Sequence, residues 1–203
     1  VGTIDHCLKK AGKESLPAVE DFLTDALFTT ITNANFDDDA ILRKITDGIV
    51  LKKQLADKAS EESVSLPDWP EVKWGGDEDD FEAEGKREGV LRTENADLRS
   101  LKELTVLGLK GMAAYYEHAS RLGEHSSAII DFMSEALFTI TDPDSSMETL
   151  LNCVLTTGKY GVDVMALLDK ANTEVYGNPE LTKVNIGVGK NPGILISGHD
   201  LKD

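Results

Sequence analysis

One segment of this chain occurs twice. Residues 18–29 read Ala-Val-Glu-Asp-Phe-Leu-Thr-Asp-Ala-Leu-Phe-Thr and residues 128–139 read Ala-Ile-Ile-Asp-Phe-Met-Ser-Glu-Ala-Leu-Phe-Thr, with seven identities in twelve and four conservative exchanges. Phe22 and Ala26 share an i, i+4 spacing with Phe132 and Ala136, and Leu23, Leu27, Met133 and Leu137 lie beside them. That spacing is the mark of a helix with one buried face. A helix repeated at a separation of 110 residues implies a helical unit built twice, which narrows the fold to a duplicated helical architecture.

The flanks extend each copy. A helix precedes each repeated one and ends near Gly12 in the first copy and at Gly123 in the second, where glycine suits the left-handed residue that closes a helix. A helix also follows. In the first copy it starts at the carboxylates of Asp37, Asp38 and Asp39, which favour a positively polarised N-terminus, and runs through Ile41, Ile45, Ile49 and Leu55. In the second it is expected to start at Ser145, with Glu148 completing a capping box, and to pass Leu150, Leu151, Val154 and Leu155. After Gly158 and Gly161 a separate helix is expected over 162–171, packing Val164, Met165, Leu167 and Leu168.

The expected fold is therefore mainly α: two duplicated three-helix bundles, residues 1–60 and 94–177, joined by an acidic irregular linker at 61–93. The linker holds Pro67, Trp69, Pro70, Trp74, Gly75-Gly76 and the run Asp77-Glu78-Asp79-Asp80, with one short helix around 81–88. The acidic run lacks the alternating oxygen ligands and central glycine of a calcium loop and reads as solvated. Trp69 and Trp74 are expected to pin the linker to the helices. Between the first repeated helix and the next, Thr32-Asn33-Ala34-Asn35-Phe36-Asp37 reads as turn and cap chemistry.

Composition removes several functions. The formal net charge is −16, with 37 acids against 21 dispersed Lys and Arg, whereas a phosphate-backbone site needs a clustered basic face. Membrane-surface binding is disfavoured for the same reason, and no apolar run approaches the roughly 18 residues of a spanning helix. With no signal segment in the sequence, a soluble cytoplasmic protein is expected. Cys7 and Cys153 have no Cys-x-x-Cys partner and no histidine at ligand spacing; each reads as a small buried hydrophobe, and a disulfide between them stays open. His6, His118 and His125 have no ligand partner at i+3 or i+4 and read as surface or satisfied helix residues. Small residues inside Lys110-Gly111-Met112-Ala113-Ala114-Tyr115 point to close packing by a neighbouring helix or a cofactor.

The tail carries the most suggestive chemistry. Val184, Ile186 and Val188 alternate with Asn185 and Gly187, and residues 193–197 form a short apolar run, so a short C-terminal β segment is expected, the start of an incomplete α/β domain at 178–203. Gly187-Val188-Gly189-Lys190-Asn191 fails both the Walker and the dinucleotide spacings and reads as a connection between strands. His199, in Ser197-Gly198-His199-Asp200, follows the second strand. Ligands bind at the carboxyl end of such strands and imidazole suits intermediate metals. A metal or catalytic role for His199 stands beside a loop or helix-cap contact. The chain opens inside a helical pattern and closes inside an α/β pattern, as if cut at both ends.

Ile31-Thr32-Asn33-Ala34-Asn35-Phe36-Asp37-Asp38, Gly108-Leu109-Lys110-Gly111-Met112-Ala113-Ala114-Tyr115, Ala171-Asn172-Thr173 with Tyr176-Gly177-Asn178-Pro179-Glu180, and the tail from Val184 resemble the hybrid cluster (prismane, or hydroxylamine reductase) family over essentially the whole chain. The resemblance implies two three-helix bundles followed by two α/β domains of the same polypeptide. It implies a [4Fe-4S] or [2Fe-2S] cluster and a hybrid iron–sulfur–oxygen cluster, a small nitrogen-oxide substrate such as hydroxylamine or nitric oxide, and a redox donor protein. By position, His199 matches the histidine that ligates an iron of the hybrid cluster. The cysteines of the conventional cluster match neither Cys7 nor Cys153, and the other hybrid-cluster ligands have no counterpart in these residues. The chain by itself is therefore expected to be inactive. The alternative is a metal-free helical scaffold or interaction module derived from the same family.

Overall fold

The computed structural model describes residues 1–31, 37–88, 90–183 and 186–194. Those residues are mainly helical, with helices α1 (Gly2–Lys10), α2 (Ala18–Thr29), α3 (Asp38–Glu61), α4 (Pro70–Lys73), α5 (Phe81–Arg87), α6 (Ala96–Arg121), α7 (Ser127–Thr141) and α8 (Met147–Tyr176).

Local chemistry sets the helix ends. Past α1, the Gly12 N–H donates to Lys9 O and the Lys13 N–H to Leu8 O, both at 2.9 Å. Past α6, the Gly123 N–H donates to Ser120 O at 2.9 Å and the Glu124 N–H to Ala119 O at 3.1 Å. This paired closure requires a left-handed residue, and Gly12 and Gly123 supply it with φ of 72° and 91°. A third such closure follows α3, where the left-handed residue is Ser63, φ 56°. At the other end of α3, the Asp37 carboxylate accepts the Ala40 N–H at 2.9 Å, as its position in the sequence led one to expect.

Helix α8 departs from expectation in two respects. Its cap is Ser146, whose Oγ accepts the Thr149 N–H at 3.1 Å. Ser145 instead donates to Thr139 O at 2.7 Å, so Glu148 completes no capping box. The helix also runs unbroken from Met147 to Tyr176, through both Gly158 and Gly161. Each glycine costs about 1 kcal/mol of helix propensity, but α8 packs along α6 for most of its length, and burial of Leu150, Cys153, Val164 and Ala171 outweighs that cost at roughly 1.5–3 kcal/mol for a full Leu or Val side chain.

Two apolar cores form. One gathers Ile4, Leu8, Val19, Leu23, Leu51 and Leu55 from α1, α2 and α3. The other gathers residues such as Leu109, Tyr116, Ile130, Met133 and Val164 from α6, α7 and α8. Leu137 packs against both. The halves are interleaved rather than strung apart: α1 lies chiefly on α7, and α2 chiefly on α6. The close packing expected around residues 110–115 is present at Met112 and Ala113, buried in the core with α7 and α8, and a further close approach falls a turn earlier, at Gly108, where an added Cβ would stand 2.5 Å from Thr157 Cγ2 on α8. Gly111 faces open space.

The linker is anchored by both tryptophans. Trp69 packs on Phe138 of α7 with ring centroids 5.0 Å apart, and the Trp74 ring, which meets Phe81 within the linker at 5.9 Å, lies 5.8 Å under the Lys52 ammonium of α3. The Lys52 ammonium of α3 donates to Trp74 O and, at 3.1 Å, to Glu71 O. Within the acidic run, Asp77 and Asp80 cap one another's backbone, so those carboxylates are engaged in turn chemistry. Among the described residues no strand is present. Of the expected β segment, Ile186, Val188 and Ile194 stand almost fully exposed; 184–185 and 195–203 lie outside the described residues. A strand needs a neighbour for its backbone groups, and no strand or bridge is assigned over residues 186–194.

Candidate functional site

The residue singled out from the sequence, His199, lies outside the described residues, as do Ser197, Gly198 and Asp200. What the structure does place is the polar chemistry of the helical scaffold that precedes it.

Two polar clusters, each built on one buried side chain, join the halves. In the first, Asp5 of α1 is fully buried. Ser134 Oγ of α7 donates to its Oδ2 at 2.6 Å, and the Lys9 ammonium lies 2.8 Å from the same oxygen and 2.6 Å from Asp131 Oδ1. Burial pulls the Lys9 pKa down, yet the hydrogen bonds to Asp131 and Asp5 outweigh it and hold the ammonium above its ordinary value. Among the described residues the buried Asp5 Oδ1 has no hydrogen-bond partner, which costs stability. In the second cluster, Tyr116 of α6 is fully buried. Its hydroxyl donates to Glu20 Oε1 of α2 at 2.8 Å and accepts the Ser126 N–H at 2.9 Å. His125 Nδ1 sits 2.6 Å from the same Glu20 oxygen. Burial first, then the Glu20 carboxylate, push the Tyr116 phenol well above its ordinary range. The phenol thus serves as donor and acceptor at once, linking α2 to the start of α7.

Neither cluster was legible from residue pattern alone. A lone Asp in an apolar helical pattern does not announce a serine on another helix 129 residues away. The remaining histidines behave as surface or satisfied residues: His6 packs on Phe138 at 4.8 Å and His118 edge-on to Phe28 at 5.7 Å.

A mixed-charge cleft lies where the linker meets α6 and the α7–α8 turn, lined by Glu71, Glu88, Arg92, Arg99 and Lys102. Arg92 forks between Glu88, at 2.6 Å, and Glu71. Burial and the Arg92 charge lower the Lys102 pKa, while burial and Glu84 raise that of Glu88. Arg92 thus ties Glu71 and Glu88 of the linker together, and Arg99 of α6 donates to Thr93 O at 3.0 Å, just before that helix begins.

The donor set of the described residues does not fit an iron–sulfur cluster, which is held by several thiolates. Cys7 and Cys153 are both free, on α1 and α8. Burial raises both thiols above their ordinary values, which favours the protonated, non-ligating form. Among the described residues no three His, Cys, Asp or Glu side chains come together to hold a metal ion. Among the described residues no helix is long and apolar enough to cross a membrane.

Comparison with known proteins supplies what the geometry of these residues does not. The chain is similar to the hydroxylamine reductase of Bacteroides thetaiotaomicron, 55% identical over 203 residues, which is 100% of this chain and 36% of that relative. It is similar to the hydroxylamine reductase of Bacteroides fragilis (strain ATCC 25285), 51% identical over the same length and share. To that of Clostridium novyi it is 51% identical over 188 residues, 91% of this chain and 34% of the relative. The chain thus spans about a third of the length of the curated relatives it matches. The model of the Prismane/CO dehydrogenase family matches residues 2–203, so the chain belongs to that family.

Proposed function

We propose that this chain is the helical part of a hydroxylamine reductase-like iron–sulfur oxidoreductase, acting on hydroxylamine or nitric oxide. The observation that supports this reading best is 55% identity along the whole chain to a hydroxylamine reductase. In that protein a hybrid iron–sulfur–oxygen cluster and a [4Fe-4S] or [2Fe-2S] cluster would supply the redox chemistry, and His199 would ligate one iron of the hybrid cluster. The other ligands, a redox donor protein and the α/β domains belong to the rest of the system.

The part assigned to the helices is mechanical. The Asp5–Ser134–Lys9 and Glu20–Tyr116–Ser126 clusters fix the two halves against each other, and a rigid support of this kind is what a metal site needs from its surroundings. These side chains touch no reacting atom, so they position and do not catalyse.

The same reading includes the duplication. Pairing α1 with α6, α2 with α7 and α3 with α8 makes the two cross-contacts, α1 on α7 and α2 on α6, equivalents of one another, as a two-fold relation between copies demands. Phe22 lies against Gly48 of α3, as Phe132 stacks on Tyr160 of α8 at 4.3 Å. On this view residues 1–60 and 94–177 are two copies of one unit, 61–93 is the linker between them, and 178–203 begins the next domain.

The test is hydroxylamine-dependent oxidation of a reduced viologen, with ammonia measured as product, using anaerobically purified polypeptide extended to the relatives' length. Ammonia formation matching dye oxidation is expected. Iron-loaded protein that consumes neither hydroxylamine nor nitric oxide would overturn the substrate assignment, and iron-free protein would favour the metal-free scaffold.

A further inference from the structure

The cleft where the linker meets α6 and the α7–α8 turn has a volume of about 420 Å³, and two of its cations have no carboxylate. In a chain with 37 acids for 21 Lys and Arg, a partner is easily found, and Arg92 takes two, Glu71 and Glu88. Arg99 and Lys102 take none among the described residues. They stand at i, i+3 on one face of α6, and both are half-buried. One nitrogen of Arg99 donates to Thr93 O at 3.0 Å, which leaves the rest of its fork open. The Lys102 ammonium and the Thr93 hydroxyl have no hydrogen-bond partner among the described residues. Glu103 lines the same cleft and Asp142 lies near enough to favour the charged form of Lys102, yet neither pairs with either cation. Asp142 accepts the Asp144 N–H instead, at 2.9 Å.

An ammonium so placed costs free energy. Burial first, then the Arg92 charge, act against the charged form of Lys102, and a nearby anion relieves both effects. Hydrogen bonds from a guanidinium or an ammonium to carboxylate or phosphate oxygens are the strong ones. The rest of the lining is partly apolar. Val106 continues the same face of α6, and Ile140 and Pro143 come from the end of α7 and the turn after it. A cleft of this size with a few convergent polar groups over apolar surface has the make-up of a small-molecule site.

We propose that this cleft binds a small organic anion, its carboxylate or phosphate oxygens taken by Arg99, Lys102 and Thr93 and its apolar body laid on Val106, Ile140 and Pro143. The proposal does not rest on the reductase reading and needs no cluster to be bound.

Equilibrium dialysis of a protein of the relatives' length against phenylphosphate and against benzoate, at low salt, tests it. Saturable one-to-one binding of phenylphosphate or benzoate is expected, the two arms telling a phosphate head from a carboxylate. Benzyl alcohol, the body without the charge, and inorganic phosphate, the head without the body, should each bind at least about tenfold more weakly. Lys102→Met and Arg99→Gln should each weaken binding at least about tenfold, the order expected for one charge-assisted hydrogen bond. Lys102→Arg keeps the charge and should keep the binding, and Lys110→Met, on α6 outside the cleft, should leave it unchanged. Circular dichroism on each variant separates lost binding from lost folding. No saturable binding of either anion overturns the proposal, as does an affinity that folded Lys102→Met and Arg99→Gln both retain. Benzyl alcohol binding as tightly as the anions overturns the role of the cations, and inorganic phosphate binding as tightly overturns the organic body.

Discussion

Substituting Gly108→Ala probes the contact that holds the two longest helices together. In an exposed helix the change would stabilise by about 1 kcal/mol through propensity. Here the new Cβ would stand 2.5 Å from Thr157 Cγ2, well inside contact distance. Thr157 cannot easily yield, because it is 5% exposed and its hydroxyl donates to Cys153 O at 2.8 Å, so turning it away breaks that bond. Overpacking of this kind costs about 1–3 kcal/mol, which leaves a net destabilisation of about 0–2 kcal/mol. Thr157→Ser deletes the clashing methyl, keeps the hydroxyl, and alone costs about 1 kcal/mol for a lost buried methyl. In the double variant the alanine methyl occupies the vacated space. The double variant should then match the parent, giving a favourable coupling of about 2 kcal/mol, within the range found for residues in contact. Urea unfolding followed by circular dichroism measures all four corners of the cycle. Gly108→Ala stabilising by about 1 kcal/mol alone, with no coupling to Thr157→Ser, would refute the close approach of α6 and α8.

Three further outcomes are expected. Tyr116→Phe leaves the Ser126 N–H and Glu20 without the phenol that joins them and should cost about 1–3 kcal/mol for stranded polar groups; a loss below the error of urea unfolding would show that the cluster does not hold α2 to α6. Ser63→Gly relieves a non-glycine residue at φ 56° and should stabilise by up to about 1 kcal/mol, whereas a lower denaturation midpoint would count against the left-handed closure of α3. Because the Lys9 pKa is raised in the folded state, its contribution to stability is fully present below the unfolded lysine value, about 10.4, and is lost as pH rises through the higher folded value. Lys9→Met should therefore flatten the alkaline side of the stability profile, and an identical profile would remove the Asp5–Lys9–Asp131 pairing from the account.

Features with a local cause were legible in the sequence. Gly12, Gly123 and Asp37 each act within a few residues of a helix end, so their roles follow from residue type and position. The repeated Phe-x-x-x-Ala pattern likewise marks α2 and α7 by period alone. Features decided at a distance were not. Gly158 and Gly161 look like a helix break until α6 is seen packing along α8. The carboxylate of Asp5 finds its serine only once α1 lies on α7. The cap of α8 slipped from Ser145 to Ser146 because two adjacent serines carry the same local signal, and the carbonyl of Thr139 decides between them. The small residues of α6 were rightly read as a close approach, but the neighbour selects Gly108 over Gly111. His199 falls outside the described residues, so its assignment rests on the resemblance of Ser197-Gly198-His199-Asp200 to the family pattern.

Iron and acid-labile sulfide, counted per polypeptide in a protein of the relatives' length and in its His199→Ala variant, test the central claim most directly. The account predicts both elements in the parent protein, and a variant of unchanged helicity that has lost iron from the hybrid cluster and keeps the conventional one. Equal iron, sulfide and cluster spectra in the two proteins would contradict the role given to His199, and a parent protein without iron or sulfide would contradict the reductase reading itself.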